Sequence, residues 1–439
     1  MTKFIFYIKQ ACTLLRQEKL FSAIYIVGSA LSITMVMTLS IVYYIKIADI
    51  YPEANRNRTL IVRYITEKQN DGRGYSRSGI SLQMIDACIK SLKNAEVVTV
   101  VMVAHPINNY VQPEGSRLEL PVSVTAVDTE WWKVFNFKFL EGKPFTDEDF
   151  QSGVTTAVIS RSLAKKLYGD EAATGKSFSL NSRSFRVCGV VKDVSFLTGT
   201  TYAQIWMPYT AVKNYKRSGF GKSNSLGNFA AYILAPSASE VEDVIQEYKE
   251  TFKRYAGQYA EEVTLLTPSQ PLRQWQSIFW RGYLEDENLN YYLWLTGAIF
   301  LVLLLVPAIS LSGMADSRME RRLAEMGVRR AFGARTSSLM NQILLENFIF
   351  TLLGGILGLI LSYIMVLTSY DWLMGFAGGA GGGMAQTHGW EETIAPSMFF
   401  NIPVFLIALL LCFLLNLFSA LIPAWKASRH QIVESLNLK

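Results

Sequence analysis

Four long stretches of this chain carry no charged residue. Between the first two lies a long segment in which charged and apolar positions are mixed. The uncharged runs are Leu20 to Ile45, Tyr291 to Ala315, Asn347 to Tyr370 and Thr393 to Trp425. A helix needs about 20 apolar residues to cross the hydrocarbon core of a bilayer, so each run is long enough to span. Core helices of soluble proteins rarely run this far without polar punctuation. The first run is the most polar, with Ser29, Ser32, Thr34, Thr38 and Ser40. Such hydroxyls can bond to backbone or to neighbouring helices, which keeps spanning the expected state. That run also exceeds the apolar core of about 7–15 residues in a signal peptide, so an uncleaved anchor is expected.

The mixed segment between the first two runs reads as α and β together. Strand-like stretches are Thr59–Ile65, Val97–Ala104, Leu118–Val127, Thr155–Ser160 and Ser184–Val191. Helical periodicity marks Ser81–Leu92, with Leu82, Ile85, Ile89 and Leu92 on one face. It also marks Arg161–Tyr168 and Ser237–Tyr255, the latter with Val241, Val244, Ile245 and Tyr248 as its inner face.

Charge supports the membrane reading and sets its direction. Only 18% of the 439 residues are charged, against about 25% in soluble proteins. The net charge of +6 is modest, and the basic residues cluster beside the apolar runs, which argues for membrane topology over nucleic acid binding. Lys3, Lys9, Arg16 and Lys19 precede the first run; Arg318, Arg321, Arg322, Arg329, Arg330 and Arg335 follow the second; Lys426, Arg429 and Lys439 follow the fourth. Between the third and fourth stand Asp371, Glu391 and Glu392 with no Lys or Arg. The positive-inside rule then places both termini and the Arg-rich loop in the cytoplasm.

The expected protein is a membrane protein with four transmembrane α-helices and a large α+β domain inserted between helices 1 and 2. Residues 1–19 are a cytoplasmic segment, 20–47 helix 1, 48–290 the external domain and 291–315 helix 2. Residues 316–340 are a cytoplasmic loop, 341–370 helix 3, 371–400 an external loop, 401–423 helix 4 and 424–439 a cytoplasmic tail.

Candidate chemistry is sparse. His105 is the one histidine of the external domain, and a lone histidine is more often structural. Asp147, Glu148 and Asp149 between Phe145 and Phe150 look like an acidic helix start rather than a catalytic group. Gly175-Lys176-Ser177 resembles the end of a phosphate-binding loop, but position 170, where that motif needs glycine, is Asp170. The four cysteines show no metal-ligand spacing; a pairing of Cys88 with Cys188 in the external domain is open. No catalytic residue, metal site or cofactor of the chain's own is expected.

The stretch Asp316–Ala334, DSRMERRLAEMGVRRAFGA, has helical character, with Met319, Leu323 and Met326 in an apolar line and Arg318, Arg322 and Arg329 on a basic face. Taken alone, it reads equally well as a headgroup-facing loop explained by the positive-inside rule. Its order from Arg322 to Arg335, R-x-x-E-M-G-V-R-R-A-F-G-A-R, resembles the signature of FtsX-like permeases, E-I-G-(I/V)-R-(K/R)-A-(L/F)-G-A. The likeness continues through Asn341–Glu346 into Leu352-Leu353-Gly354-Gly355-Ile356-Leu357-Gly358, and closes at Ile422–Arg429 and Val433–Leu436. Ala157–Ser160, Leu163-Ala164, Gly169-Asp170, Thr174–Lys176 and Val187–Asp193 resemble the MacB-type periplasmic core domain. Two departures stand out: Gln431 lies near the family's usual proline, and the Gly-rich Phe376–Met384 lengthens the loop between helices 3 and 4.

The resemblance implies a permease subunit of a MacB/FtsX-like (type VII) ABC transporter in the cell inner membrane. Its partners are then a separate ATPase subunit, which binds the ATP, and a second permease protomer, either a copy of the chain or a paralogue. A periplasmic adaptor and an outer-membrane exit duct are further expected partners if the system is an efflux pump. Asp316–Ala334 becomes the coupling helix on the ATPase, with Glu320, Arg322, Glu325, Arg329 and Arg330 as charged contacts and Met319, Leu323 and Met326 as apolar ones. The external domain divides into a porter-like part, residues 48–105 and 207–290, and an inserted strand-rich part, residues 106–206. Pro307 offers a kink in helix 2. Gly354 and Gly358 form a GxxxG pattern that allows close helix approach; simple tolerance of glycine in membrane helices explains them as well. Mechanotransmission is the implied mechanism, with Arg273–Asn290 as a stalk. Control of a cell-wall hydrolase, as in the family's cell-division members, and ligand sensing are the alternatives to efflux or to lipoprotein or peptide handling.

Overall fold

A computed structural model of the chain describes residues 19–70, 74–103, 109–113, 119–194, 198–217, 219–267, 269–278, 290–291, 293–302, 305, 336–368, 406–407, 409–410 and 413–414. They fall into a unit of apolar helices and a second unit that takes the described residues from 45 to 278.

The helical unit contains two long helices, Lys19–Ile47 of 29 residues and Thr336–Thr368 of 33. At about 1.5 Å per residue both exceed the roughly 30 Å hydrocarbon core. Their most apolar windows are Ser22–Ile41, with mean hydropathy 1.9, and Phe348–Met365, with 2.2. Among the described residues these two helices are long and apolar enough to cross a membrane, and Leu293–Val302 is a shorter apolar helix within the second expected span. The remainder of that span and most of 401–423 lie outside the described residues. The helix expected from residue 341 begins earlier, at Thr336. Two polar residues of the first helix bond to its own backbone. Ser32 and Thr34 donate to the carbonyls of Gly28 and Ala30, each at 2.7 Å.

The second unit is built on strands β1 (Thr59–Val62), β2 (Ile65–Gln69), β3 (Tyr75–Ile80), β4 (Val97–Met102), β5 (Asn109–Pro113), β6 (Leu120–Val122), β7 (Val124–Val127) and β8 (Phe139–Gly142). These are followed by β9 (Thr156–Ser160), β10 (Ser177–Leu180), β11 (Arg183–Val191), β12 (Ile205–Pro208), β13 (Leu226–Gly227), β14 (Phe229–Leu234), β15 (Val263–Leu266) and β16 (Leu272–Arg273). They form one hydrogen-bonded ladder in the order β15-β2-β3-β14-β4-β7-β12-β9-β11-β10-β5-β6, with β1 and β16, β13, and β8 attached beside β14, β3 and β11. Most pairs are antiparallel; β12 with β7 and β11 with β9 run parallel.

Both faces of the sheet are covered at its central strands, β1, β9, β12 and β14. In β14, Phe229, Ala231 and Ile233 enter one core while Ala230, Tyr232 and Leu234 enter the other. Leu60 and Val62 of β1 likewise face away from Ile61. This explains sequences such as VVTVVM and FAAYIL, which are apolar at nearly every position. The helix Val241–Gly257 covers the first core with Val241, Val244, Ile245 and Tyr248; the short helix Trp131–Val134 and Phe145 cover the second.

Several elements differ in detail from the expectation. Thr59–Ile65 is two strands, because the Gln270 side chain replaces a strand partner at Arg63 and Tyr64. Its Oε1 accepts both amides, at 2.6 and 3.1 Å, and its Nε2 donates to the Tyr64 carbonyl at 2.6 Å. Leu118–Val127 is similarly interrupted at Ser123, whose amide donates to Gln204 Oε1. Ser81–Leu92 is a three-residue α-turn, capped by Ser81, that widens into a π-turn over Ile85–Ile89. The acidic run is a helix start: Thr146 and Asp149 form a reciprocal capping box on Asp147–Ser152. Cys88 and Cys188 are free thiols. Cys88 belongs to the first core and Cys188 borders the second, on opposite faces of the sheet.

The ladder runs through the expected boundary near residue 106, since Val101 and Met102 of β4 pair with Val127 and Ala126 of β7. Asp128 closes this crossing. Its carboxylate accepts from Thr99 Oγ1 at 2.5 Å, Val100 N at 2.8 Å and Trp131 N at 3.2 Å. Burial nevertheless pushes its pKa from 3.8 up to about 7, against the lowering pull of the Thr99 and Val100 donors. Between those two values the folded chain holds a proton that the unfolded chain has released. The group's contribution to stability therefore falls as pH rises through that window. We predict that the thermal midpoint of the detergent-solubilised chain falls more from pH 5 to pH 8 in the wild type than in Asp128→Asn.

Candidate functional site

Two places in the described residues stand out for the density of their contacts. The first lies where the folded domain receives the chain from the first long helix. Glu53 and Arg56 are buried there, with 2% and 3% of their surface exposed, and Arg56 Nε donates to Glu53 Oε2 at 2.6 Å. Arg56 also reaches back to the carbonyl of Ala48, at 2.7 Å. Gln274 Nε2 donates to the same Glu53 oxygen. The other oxygen, Oε1, accepts from Thr201 N at 3.1 Å and Thr201 Oγ1 at 2.8 Å.

Four donors therefore meet two carboxylate oxygens, which fills the acceptor capacity of the group. A buried ion pair is tolerable only when its remaining hydrogen-bonding positions are met in this way. Removing one partner of such a pair costs roughly 3–5 kcal/mol, because the other charge is left buried and uncompensated. A carboxylate so occupied has no free position for a substrate proton or a metal. Among the described residues no group of three or more His, Cys, Asp or Glu side chains converges to hold a metal ion.

Neighbouring contacts fix the same segment to the rest of the domain. Tyr51 Oη donates to the Lys192 carbonyl at 2.9 Å, and Lys192 Nζ lies 5.4 Å from the centre of the Tyr51 ring. Asn136 N donates to the Pro52 carbonyl at 2.9 Å, and Asn55 Nδ2 to that of Val134 at 3.1 Å. At the other end of the domain, Gln274 N donates to the Thr59 carbonyl at 3.0 Å, and Ser277 Oγ to that of Gln274 at 2.7 Å.

The second place is the seam between the two long helices. A Cβ on Gly354 would stand 3.1 Å from the Ile26 carbonyl oxygen and 2.8 Å from Ser29 Cβ; one on Gly358 would stand 2.8 Å from the Ala30 carbonyl oxygen. Only hydrogen fits at either position. Thr34 Oγ1 crosses the seam to the Gly358 carbonyl at 3.2 Å, and the Tyr25 and Phe350 rings meet at 5.8 Å beside it.

Of the residues singled out from the sequence, Gly354 and Gly358 lie in this seam. Met319, Glu320, Arg322, Leu323, Glu325, Met326, Arg329, Arg330 and Pro307 lie outside the described residues, as do His105 and the Gly-rich 376–384. Of the stalk expected at Arg273–Asn290, the described part is residues 273–278, which include the turn Gln276–Ile278, and Asn290. Gly175-Lys176-Ser177 is no phosphate cradle: the amides of Gly175 and Lys176 are spent on the carbonyls of Val187 and Ala173. Sequence reasoning missed the Glu53 junction. Glu53 is separated from Thr201 by 148 positions and from Gln274 by 221. The one local signal was a Glu and an Arg three apart just after an apolar run.

Comparison with known proteins assigns the chain. The model of the MacB-like periplasmic core domain matches residues 22–251, and that of the FtsX-like permease C-terminal region matches residues 297–432. The ABC transporter permease YknZ of Bacillus subtilis is 23% identical over 63% of this chain and 64% of that protein. The macrolide export ATP-binding/permease protein MacB of Mannheimia succiniciproducens is 24% identical over 57% of this chain and 36% of that protein. The chain thus spans less than two thirds of the length of either relative. The periplasmic region of MacB from Actinobacillus actinomycetemcomitans is 16% identical, covering 47% of this chain and 88% of that one, with a TM-score of 0.32. With a core-domain match over more than half its residues and an FtsX-like match after it, the chain belongs to the family of MacB-like and FtsX-like ABC transporter permeases.

Proposed function

We propose that this chain is the permease subunit of a MacB-like ABC transporter and that it works by mechanotransmission. A separate ATPase subunit hydrolyses ATP, and the spans carry the resulting movement to the large domain. The cargo class is that of efflux, or of lipoprotein or peptide handling outside the inner membrane. The observation that carries this reading is the order of the two family regions along the chain, the MacB-like core domain followed by the FtsX-like permease region.

Three features support the mechanical part. The Arg-rich stretch 316–335 has the composition of a charged docking helix, with Glu320, Arg322, Glu325, Arg329 and Arg330 to fix register and Met319, Leu323 and Met326 to pack. Gly354 and Gly358 serve as the packing surface of a tight helix pair, in which backbone contact lets one helix carry its neighbour. At the junction where the chain enters the domain, Glu53 accepts four hydrogen bonds and binds separate segments together. Both termini and residues 316–340 lie in the cytoplasm, with residues 48–290 in the periplasm. Two protomers, identical or paralogous, make the membrane unit. The porter-like division of residues 48–105 and 207–290 from 106–206 belongs to the same reading.

Each part has its own test. A fluorescent protein fused after Lys439 should fluoresce, and alkaline phosphatase fused within residues 371–400 should be active; the reverse pattern overturns the orientation. The tagged chain should co-purify with an ATPase encoded beside it and raise that enzyme's turnover. Glu325→Lys should weaken this co-purification on the order of tenfold, the scale of one charge pair across an interface, and an unchanged yield removes the docking role. Gly354→Leu should lower stability in detergent by about 1–3 kcal/mol, the usual cost of overpacking, whereas Gly297→Leu, at an open position in the apolar helix Leu293–Val302, should leave it near wild type.

A further inference from the structure

Three segments far apart in sequence converge on the Glu53 carboxylate. One is the stretch that follows the first long helix: Arg56 donates to Glu53 and, through its other nitrogen, to the carbonyl of Ala48, the first residue after that helix. The second is the stretch that leaves the domain after β16, where Gln274 donates to Glu53 and Ser277 bonds back to Gln274. The third is the turn Thr198–Thr201, whose two end residues are buried and which is closed by Thr201 N on Thr198 O at 3.0 Å. That turn feeds β12, which is paired to β7 on one side and β9 on the other. Beyond β9 lie β11, β10, β5 and β6.

The second and third segments each bond directly to this one carboxylate. Each oxygen of Glu53 serves a different direction: Oε1 takes both donors of Thr201, and Oε2 takes Arg56 and Gln274. Glu53, Arg56, Thr201 and Gln274 are all buried, so water is not at hand to replace a lost bond. A shift of either membrane-proximal segment therefore moves the carboxylate, and the carboxylate moves the turn before β12.

We propose that Glu53 is a positioning residue that makes the entering and leaving segments of the domain act as one on β12 and the half-sheet beyond it. The driving force rests on the permease reading; the joint itself does not.

Hydrogen exchange read by mass spectrometry on the purified full chain tests the joint without any ATPase. Peptides covering 198–204 and 272–278 report the two far arms, and 177–191 serves as reference. Thr201→Val, which deletes one hydroxyl, should raise exchange in 272–278 as well as in 198–204, and Gln274→Ala should do the converse. The expected change is about tenfold for the loss of one buried bond to a charged group. Thr201→Ser keeps the hydroxyl and should restore wild-type exchange in both arms. Glu53→Gln should open both arms at once while 177–191 keeps its protection. If Glu53→Gln also exposes 177–191, the two single-arm variants decide. A response confined to the substituted arm in both of them overturns the proposal. With an ATPase partner added, ATP should change exchange in 198–204 of the wild type and not of Thr201→Val. Failure of any ATPase to bind overturns the permease reading, while cross-response between the arms still upholds the joint.

Discussion

The large domain depends on a sheet whose central strands are covered on both faces. Those strands must then be buried on both sides, and every backbone group between the two cores must find its partner in the ladder or in a side chain. The rest of the domain follows from this demand. The helix Val241–Gly257 and the π-turn at Ile85–Ile89 exist to cover one face, and Trp131, Phe135 and Phe145 exist to cover the other. Where the ladder breaks, a side-chain amide takes over: Gln270 serves the backbone between β1 and β2, and Gln204 serves Ser123 between β6 and β7. A carboxylate does the same at Val100.

Much of this was readable from the chain alone, for a physical reason. A strand buried on both faces is a continuous β-branched or aromatic run, and such runs at Val97, Thr155 and Ser184 announced themselves. The helix over Val241–Gly257 was legible because its outer face is charged and its inner face is not. The breaks were not legible. Arg63 and Tyr64 sit inside an unbroken strand-like composition, and the residue that interrupts it, Gln270, is 206 or 207 positions away. The π-turn was hidden too, since Leu82, Ile85, Ile89 and Leu92 suit a plain α-helix equally well. For the candidate site the balance was reversed. The motif at Arg322–Arg335 gave the family without any coordinates, whereas Glu53 carries no local pattern that marks four converging donors.

Among the described residues, buried carboxylates tie separate segments together, as Glu67 does for the turn at Lys222 and Ser223. Asp128 ties β4 to the segment after β7, and Glu53 with Arg56 ties the two ends of the domain to the turn before β12. Hydrophobic contacts could supply similar stability at either place, since a buried ion pair adds little net free energy over apolar packing. Directional bonds differ in kind: they admit one alignment and resist rotation away from it. That property suits the movement as one body that we propose for this domain.

The seam between the long helices carries a consequence for how this chain can change over evolutionary time. A tight contact between two side chains can be preserved when both mutate, one growing as the other shrinks. At Gly354 and Gly358 the opposing atoms include the carbonyl oxygens of Ile26 and Ala30. Every amino acid has that oxygen in the same place, so no substitution in the first helix can make room for a larger residue in the other. Lineages of this permease should therefore vary around the two glycines while keeping the pair itself, unless the helices separate altogether.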